Sequence, residues 1–168
     1  MTSQIEQNEK QQRPTFLLVL CILTFINTGI AIISGVISIL TGGPSEAEIQ
    51  QNKVELAKSI DQMRQLKVEF GVELLQKMDL MLDAINSNFV FYSGVSVIVG
   101  MLGLFGALEM FRGKKMGFHF YIGYCFFFTL QIYLFTAPSS IPTIIVVYNV
   151  LVSALFIFMY SRNLHWLK

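Results

Sequence analysis

Four long and almost uncharged apolar runs constrain this chain more than any other feature. They cover residues 15–41, 89–111, 116–137 and 141–160. Each run is close to or above the ~20 residues that an α-helix needs to cross about 30 Å of hydrocarbon. A chain of 168 residues has too little other mass to bury four such helices in a soluble core, so a bilayer must surround them. The sequence therefore predicts an all-α integral membrane protein with four transmembrane helices.

Basic residues near the ends of the runs predict the orientation of the chain. With four spans, both termini share one side of the membrane with the turn between the second and third runs. The other side holds the uncharged loop 138–140 and the long insert 42–88, in which acidic residues outnumber basic ones. Because loops rich in Lys and Arg stay in the cytoplasm, we expect the tail 1–14, the turn 112–115 and the tail 161–168 to be cytoplasmic. The basic residues on that side are Lys10, Arg13, Arg112, Lys114, Lys115, Arg162 and Lys168.

The insert 42–88 has the pattern of amphipathic helices. Ser45 and Glu48 follow Pro44 with the spacing of a capping box, which is typical of a helix start. Apolar residues then recur at helical spacing as far as Ile85. One helix over 45–88 would rise about 66 Å, yet both of its ends must return to the same membrane face. We therefore predict an extracytoplasmic helical hairpin or a bent helix pair between the first two spans.

The position of the turn within the insert is marked only by weak signals. The segment 69–73 is the favoured break, because Gly71 costs about 1 kcal/mol relative to Ala inside a helix. Glu69 and Glu73 also repel each other at i, i+4. A bend between Met63 and Lys67 is the alternative.

The apolar face of the insert has two interpretations. Its two arms bury that face against each other or against the lipid surface, or the face is a docking surface for an envelope protein or a second copy. Methionine side chains adapt to varied surfaces, which favours docking. In the docking interpretation, the contact residues are Ile49, Leu56, Met63 and Phe70.

Small residues in the second run mark a helix-packing face. Gly103 and Ala107 stand four residues apart, a spacing that lets a neighbouring helix approach closely. Such pairs are frequent in membrane proteins with several spans. We expect this one to pack within the chain.

Polar residues inside the apolar runs are the places where a transport path would lie. They are Asn27, Glu109, Gln131 and Asn149. The three neutral amides are typical of hydrogen bonds between helices. Glu109 either forms an i, i+3 ion pair with Arg112 at the interface or serves proton or substrate coupling. We expect no polar stripe of the kind that a channel requires.

The sequence carries no pattern that indicates catalysis, a metal or a cofactor. His119 and His165 stand among aromatic residues without carboxylate or cysteine neighbours, and Cys21 and Cys125 lie in separate spans. A net charge of +1 without a basic run also argues against nucleic-acid binding. We expect a non-catalytic protein in contact with membrane lipid, acting as a scaffold, assembly or accessory subunit. The alternative is a small oligomeric transporter or channel component.

Two segments of the chain carry a resemblance. They are Arg13-Pro14-Thr15-Phe16-Leu17 with the run Leu20 to Ile26, and Lys114-Lys115-x-Gly117-Phe118-x-x-Tyr121-Ile122-Gly123. In these motifs the chain resembles a group of uncharacterised small four-span bacterial membrane proteins. The resemblance implies a bacterial inner (cytoplasmic) membrane location, and it carries over no active-site residue.

Overall fold

The computed structural model describes residues 14–168, and every regular element in that range is helical. The predicted all-α class is thereby confirmed. Of the predicted tail 1–14, all residues before Pro14 lie outside the described range. The elements are α1 (Thr15–Thr41), α2 (Glu46–Gln65), α3 (Glu69–Ser87), α4 (Phe89–Phe111), α5 (Met116–Leu130), the 3₁₀ turns Gln131–Leu134 and Pro138–Ser140, and α6 (Thr143–Ser161).

Among the described residues, three helices, α1, α4 and α6, are long and apolar enough to cross a membrane. The most apolar stretch of α6 has a mean hydropathy of 2.2, yet just 6% of that stretch is buried within the molecule. Large side chains such as Leu151 and Phe158 point outward from it. Apolar surface of this extent is typical of helices that face lipid.

The third apolar run differs from the single helix predicted over 116–137. The α-helix α5 ends at Leu130 after 15 residues, and the chain then tightens into the 3₁₀ turn Gln131–Leu134. Just before this change, the Thr129 hydroxyl donates a hydrogen bond to the carbonyl of Cys125 at 3.0 Å. Such back-bonding bends helices. Taken alone, α5 is therefore shorter than a bilayer-crossing helix.

Helix α4 lies at the centre of the bundle and packs against both α1 and α5. The contact with α5 depends on glycine, because a Cβ atom built on Gly117 would lie 2.5 Å from the Gly106 carbonyl oxygen. Helix α6 is held mainly through Tyr160, which is fully buried and whose hydroxyl lies 2.9 Å from that of Thr24. The bundle is thus tight between α4 and its two neighbours and looser around α6.

The two ends of the bundle differ in character. We call the end that holds the turn 112–115 and the chain after α6 the basic end. There, the backbone N–H of Lys168 donates to the Gly113 carbonyl at 2.7 Å, and the Lys168 carbonyl accepts from the Lys115 N–H at 2.9 Å. The chain after α6 is therefore fixed to the turn between α4 and α5. At the opposite end, α3 contacts the turn Pro138–Ser140. We call this second end the insert end.

The start of α2 forms the predicted capping box, which is confirmed. The Ser45 hydroxyl accepts a hydrogen bond from the Glu48 N–H at 3.3 Å, and the Glu48 carboxylate accepts one from the Ser45 N–H at 2.7 Å. These bonds satisfy two of the backbone donors that a helix start leaves free. The hydrogen bonds of Ser45, with its backbone N–H first and its hydroxyl second, also lower the pKa of Glu48 below its ordinary value.

The turn between α2 and α3 lies at residues 66–68, so the favoured break at 69–73 is wrong and the alternative was nearer. Lys67 adopts the left-handed conformation with φ 56°. The Val68 N–H donates to the Met63 carbonyl at 3.0 Å, and the Lys67 N–H donates to the Arg64 carbonyl at 3.1 Å. This is a Schellman motif, which ends a helix without a proline. Gly71 instead lies inside α3.

Candidate functional site

A groove runs between α1 and α5, from Leu23 toward the basic end to Ser38 toward the insert end. It forms because both helices pack mainly on α4 rather than on each other. Two cavities of about 280 Å³ and 300 Å³ make up the groove. Asn27, Tyr124 and Phe128 line both cavities, so the two adjoin at these residues. Helix α6 borders the first cavity, and α4 forms the floor of the second.

The lining of the groove is rich in neutral hydrogen-bonding groups and contains no charged side chain. Three of the four predicted intramembrane polar residues, Asn27, Gln131 and Asn149, are in it. Amide and hydroxyl groups both donate and accept hydrogen bonds, so this lining suits an uncharged polar ligand. The amide- and hydroxyl-bearing residues of the groove are Thr24, Asn27, Ser34, Ser38, Tyr92, Ser93, Ser96, Tyr121, Tyr124, Gln131, Asn149 and Ser153.

One face of α1 accounts for much of this polarity. Asn27, Ala31, Ser34 and Ser38 line the groove together. They recur at i, i+4, i+7 and i+11, which places them on one side of a helix. Asn27, Ser34 and Ser38 form a polar row on this face, interrupted by Ala31, where the sequence predicted no polar stripe. The spacing of the serines is readable in the sequence, but the intramembrane polar residues predicted from it are only Asn27, Glu109, Gln131 and Asn149.

Two amides in the groove differ in their hydrogen bonding. The Asn27 side chain donates to the Tyr124 hydroxyl at 3.3 Å across the groove. Gln131 is 9% exposed, and its side-chain carbonyl oxygen is buried without a hydrogen-bond partner among the described residues. A buried carbonyl that has lost its water without gaining a donor is energetically costly. Gln131 thus carries a buried acceptor that the walls of the groove leave unsatisfied.

Glu109 lies at the basic end, away from the groove. Its side chain is 7% exposed, and it accepts hydrogen bonds from Arg112 at 2.8 Å and from Lys114 at 2.7 Å. The i, i+3 ion pair with Arg112 that the spacing predicted is therefore present, and Lys114 is an additional partner. These two cations balance the carboxylate and join the last turn of α4 to the chain that leads into α5.

Gly103 and Ala107, the predicted packing pair, lie inside the bundle. A Cβ atom built on Gly103 would lie 2.7 Å from the Tyr124 ring and 3.0 Å from the Thr28 methyl group. Ala107 is fully buried, and its carbonyl accepts a contact from the Cys21 thiol at 3.7 Å. This face of α4 therefore receives both α1 and α5.

The four predicted partner-contact residues occupy two different environments. Ile49 and Leu56 are half-buried and line a depression between α2 and α3. Met63 packs over Gly71, since its sulfur would lie 3.1 Å from a Cβ atom built there. These three residues face the interface between α2 and α3. Phe70, in contrast, is 64% exposed.

Phe70 belongs to an exposed apolar group at the turn between α2 and α3, which we call the apolar tip. Its other members are Leu66, which is 70% exposed, and Val68, which is also exposed. A nearby depression is lined by charged residues of both signs, including Arg64, Lys67, Glu69 and Glu73. An apolar centre with a charged rim is the composition of a protein-binding surface.

An ion pair joins the two arms of the insert near the bundle. The Lys53 ammonium lies 2.8 Å from the Asp83 carboxylate, although the two residues are 30 positions apart in the sequence. The hydrogen bond to Asp83 raises the pKa of Lys53 above its ordinary value. Both side chains remain partly exposed, so the pair sets the register of α2 against α3 more than it stabilises them.

Metal ligation and comparison with known proteins add no further site to the groove and the apolar tip. Within residues 14–168, no three His, Cys, Asp or Glu side chains are grouped so that they could hold a metal ion. No known protein family, curated protein or solved structure matches this sequence.

Proposed function

We propose that this chain is a non-catalytic, four-span membrane protein that acts as a scaffold, assembly or accessory subunit. Its α2–α3 pair would contact an envelope protein or another copy of the chain. The observation that carries the proposal is the apolar tip. Neither α2 nor α3 contains a buried residue. The most exposed large apolar side chains of the pair, Leu66 and Phe70, lie at the turn that joins the two helices. Exposed apolar surface with a charged rim is typical of a site that contacts another molecule.

The four-span arrangement is supported by length. The 15 α-helical residues of α5 rise about 22 Å at 1.5 Å each, and the four 3₁₀ residues Gln131–Leu134 add about 8 Å. Together they match the ~30 Å of a hydrocarbon core. The attachment of Lys168 to Gly113 also supports it, because α6 then ends beside the start of α5. Helices α5 and α6 therefore run in opposite directions, from the basic end to the turn Pro138–Ser140 and back.

The proposed orientation places the basic end in the cytoplasm and the α2–α3 pair outside, in a bacterial inner membrane. Arg112, Lys114, Lys115, Arg162 and Lys168 all flank the basic end. The turn Pro138–Ser140 at the insert end carries no charge. Basic residues next to span ends are retained on the cytoplasmic side. The apolar tip would then lie at the end of a helix pair about 30 Å long, as given by the 20 residues of α2.

Photocrosslinking in intact membranes tests the docking role directly. A photoreactive residue is placed at Leu66 in the tip, and a matched one is placed at Gln50, which is also exposed but lies near the start of α2. We expect a discrete product with one protein or with a second copy from Leu66 and a much weaker one from Gln50. The double variant Leu66→Ser, Phe70→Ser should remove the partner while the protein remains folded. Crosslinks confined to lipid or to α3 would refute the docking role.

A small oligomeric transporter or channel component is the second candidate, and the polar groove favours it. Its essential residues would be the groove amides Asn27 and Asn149 rather than Glu109, which is neutralised at the basic end. Solute uptake into proteoliposomes, with Asn27→Leu and Asn149→Leu compared with Glu109→Gln, separates these possibilities. A transporter that uses the groove loses uptake in the first two variants and retains it in the third.

A further inference from the structure

Beyond the docking role, we propose that the groove binds an uncharged polyhydroxyl group, such as the sugar head of a neutral glycolipid. A hydroxyl of that group would donate a hydrogen bond to the Gln131 side-chain oxygen. The ligand would lie in the second cavity, between α1, the start of α4 and the turn Gln131–Leu134. The proposal does not depend on the apolar tip or on any transport activity.

Gln131 is the observation that requires a ligand. Gln131 lines the second cavity, and its carbonyl oxygen is buried with no donor within the described residues, so the amide must turn toward the cavity to meet a ligand. The same cavity is lined by the hydroxyl-bearing residues Ser93 and Tyr92. A ligand hydroxyl placed among these groups would satisfy the carbonyl and could accept a hydrogen bond from a neighbouring hydroxyl in return. Such complementary pairing is how polar groups in a largely apolar pocket fix a ligand.

The absence of charge from the lining limits the chemistry of the ligand. A phosphate or sulfate head would be desolvated in the groove without a Lys or Arg to balance it, and a cationic head would lack a carboxylate. The groove offers neither kind of partner. An uncharged ligand escapes this cost because its hydroxyl groups exchange hydrogen bonds with amides and serines. Neutral heads are therefore selected over anionic and cationic ones.

The shape of the groove fits a ring with an attached chain. A cavity of about 300 Å³ accommodates a single sugar ring, and Phe89, Tyr92 and Phe128 supply aromatic surface for its apolar face. On α1, Asn27, Ala31 and Ser34 are exposed on the open side of the groove. This opening lies along an apolar helix, so an acyl chain linked to the ring would leave sideways into the hydrocarbon. A laterally open site of this kind admits its ligand from the bilayer.

Native mass spectrometry of the full chain in phosphatidylcholine nanodiscs tests the proposal. The probes are monoglucosyl diacylglycerol, phosphatidylglycerol and free methyl glucoside. We expect monoglucosyl diacylglycerol to bind and phosphatidylglycerol to bind at least tenfold more weakly. Competition by methyl glucoside would mean that the head alone is recognised, whereas binding of the lipid without such competition would mean that the chain contributes. Both results support the site, and the absence of glycolipid binding would overturn it.

Substitutions assign the binding to Gln131. Gln131→Leu removes the acceptor at nearly constant volume, and we expect it to weaken glycolipid binding at least tenfold. Gln76→Leu is the matched control, because Gln76 is an exposed amide on α3 outside the groove, and it should leave the affinity unchanged. Ser34→Val changes the opposite wall of the cavity and should also weaken glycolipid binding. It provides a second test of the site if the Gln131 variant misfolds. Wild-type affinity in both groove variants would overturn the proposal.

Discussion

Lys67 occupies the left-handed backbone region with φ 56°, a conformation that costs a residue with a side chain about 1–2 kcal/mol. Glycine is the usual residue at this position of a Schellman motif. We expect Lys67→Gly to raise the free energy of unfolding of the α2–α3 pair by about 1 kcal/mol. Hydrogen exchange of the α2 and α3 amides measures it. Lys58→Gly, within α2, should instead lower this free energy of unfolding by about 1 kcal/mol. A loss of stability in both variants would mean that the left-handed backbone of Lys67 is not strained.

Gly117 lies where α4 and α5 come closest. A Cβ atom there would be 2.5 Å from both the Gly106 carbonyl oxygen and the Met110 backbone nitrogen, and neither of these atoms can move without displacing a helix. We expect Gly117→Ala to destabilise the bundle by about 1–3 kcal/mol, as overpacking does. Thermal unfolding in detergent, followed by Trp166 fluorescence, measures the change.

Gly123→Ala provides the control for Gly117 on the same helix. Its Cβ atom would meet the Leu102 side chain at 3.7 Å, which is ordinary van der Waals contact. The stability of this variant should stay close to that of the wild type. If the two alanine variants unfolded at the same temperature, the close approach of α4 and α5 at Gly117 would be disproved.

Residues differ in how far their roles could be predicted from sequence. The pairing of Glu109 with Arg112 follows from an i, i+3 spacing within one helix, so it could be predicted. The unsatisfied oxygen of Gln131 could not, because it depends on which neighbouring helices surround the end of α5. Lys67 was also missed, since a left-handed lysine has no sequence signature comparable to that of glycine.

At the scale of elements, the capping box of α2 makes helix stability depend on pH. The backbone N–H and hydroxyl of Ser45 lower the pKa of Glu48, so the ionised carboxylate stabilises the helix start. That contribution is complete above the ordinary value of 4.5 and is lost as the pH falls through the lower pKa of the folded protein. We expect the protection of the first α2 amides against hydrogen exchange, corrected for intrinsic rates, to fall in that acidic range.

Glu48→Gln is the matched control for this pH dependence. Glutamine can make the same bond to the Ser45 N–H but does not titrate. Its protection should therefore stay level as the pH is lowered. A parallel loss of protection in the wild type and in Glu48→Gln would mean that the acid effect arises elsewhere.

The elements were predicted best where local chemistry decides them. Ser45 and Glu48 mark the start of α2 because a capping box is a local interaction. The break between α2 and α3 was misplaced because Gly71 was taken as a helix breaker. The structure instead uses Gly71 for the close packing of Met63, a tertiary contact. The shortening of α5 was missed because hydropathy measures the length of an apolar run and not its backbone conformation.

At the scale of the whole molecule, the groove exists because α1 and α5 share α4 as a packing partner. Gly103 and Ala107 allow both neighbours to approach α4 closely, while α1 and α5 make few direct contacts with each other. The sequence showed the small residues on α4 and could have shown the polar stripe on α1. It could not show that the stripe on α1 and Gln131 face each other, because that depends on the relative rotation of helices far apart in sequence.

The number of membrane crossings can be tested by cysteine labelling in intact cells. In a background with Cys21→Ala and Cys125→Ala, single cysteines are introduced as Ser139→Cys and Arg162→Cys. Four crossings place Ser139 outside and Arg162 in the cytoplasm, so a membrane-impermeant maleimide should label the first directly and the second only after the membrane is disrupted. If α5 did not cross, α6 would start in the cytoplasm and both results would be reversed. Ala57→Cys in α2 should be labelled from outside in either case, and its protection would instead reveal an inverted protein.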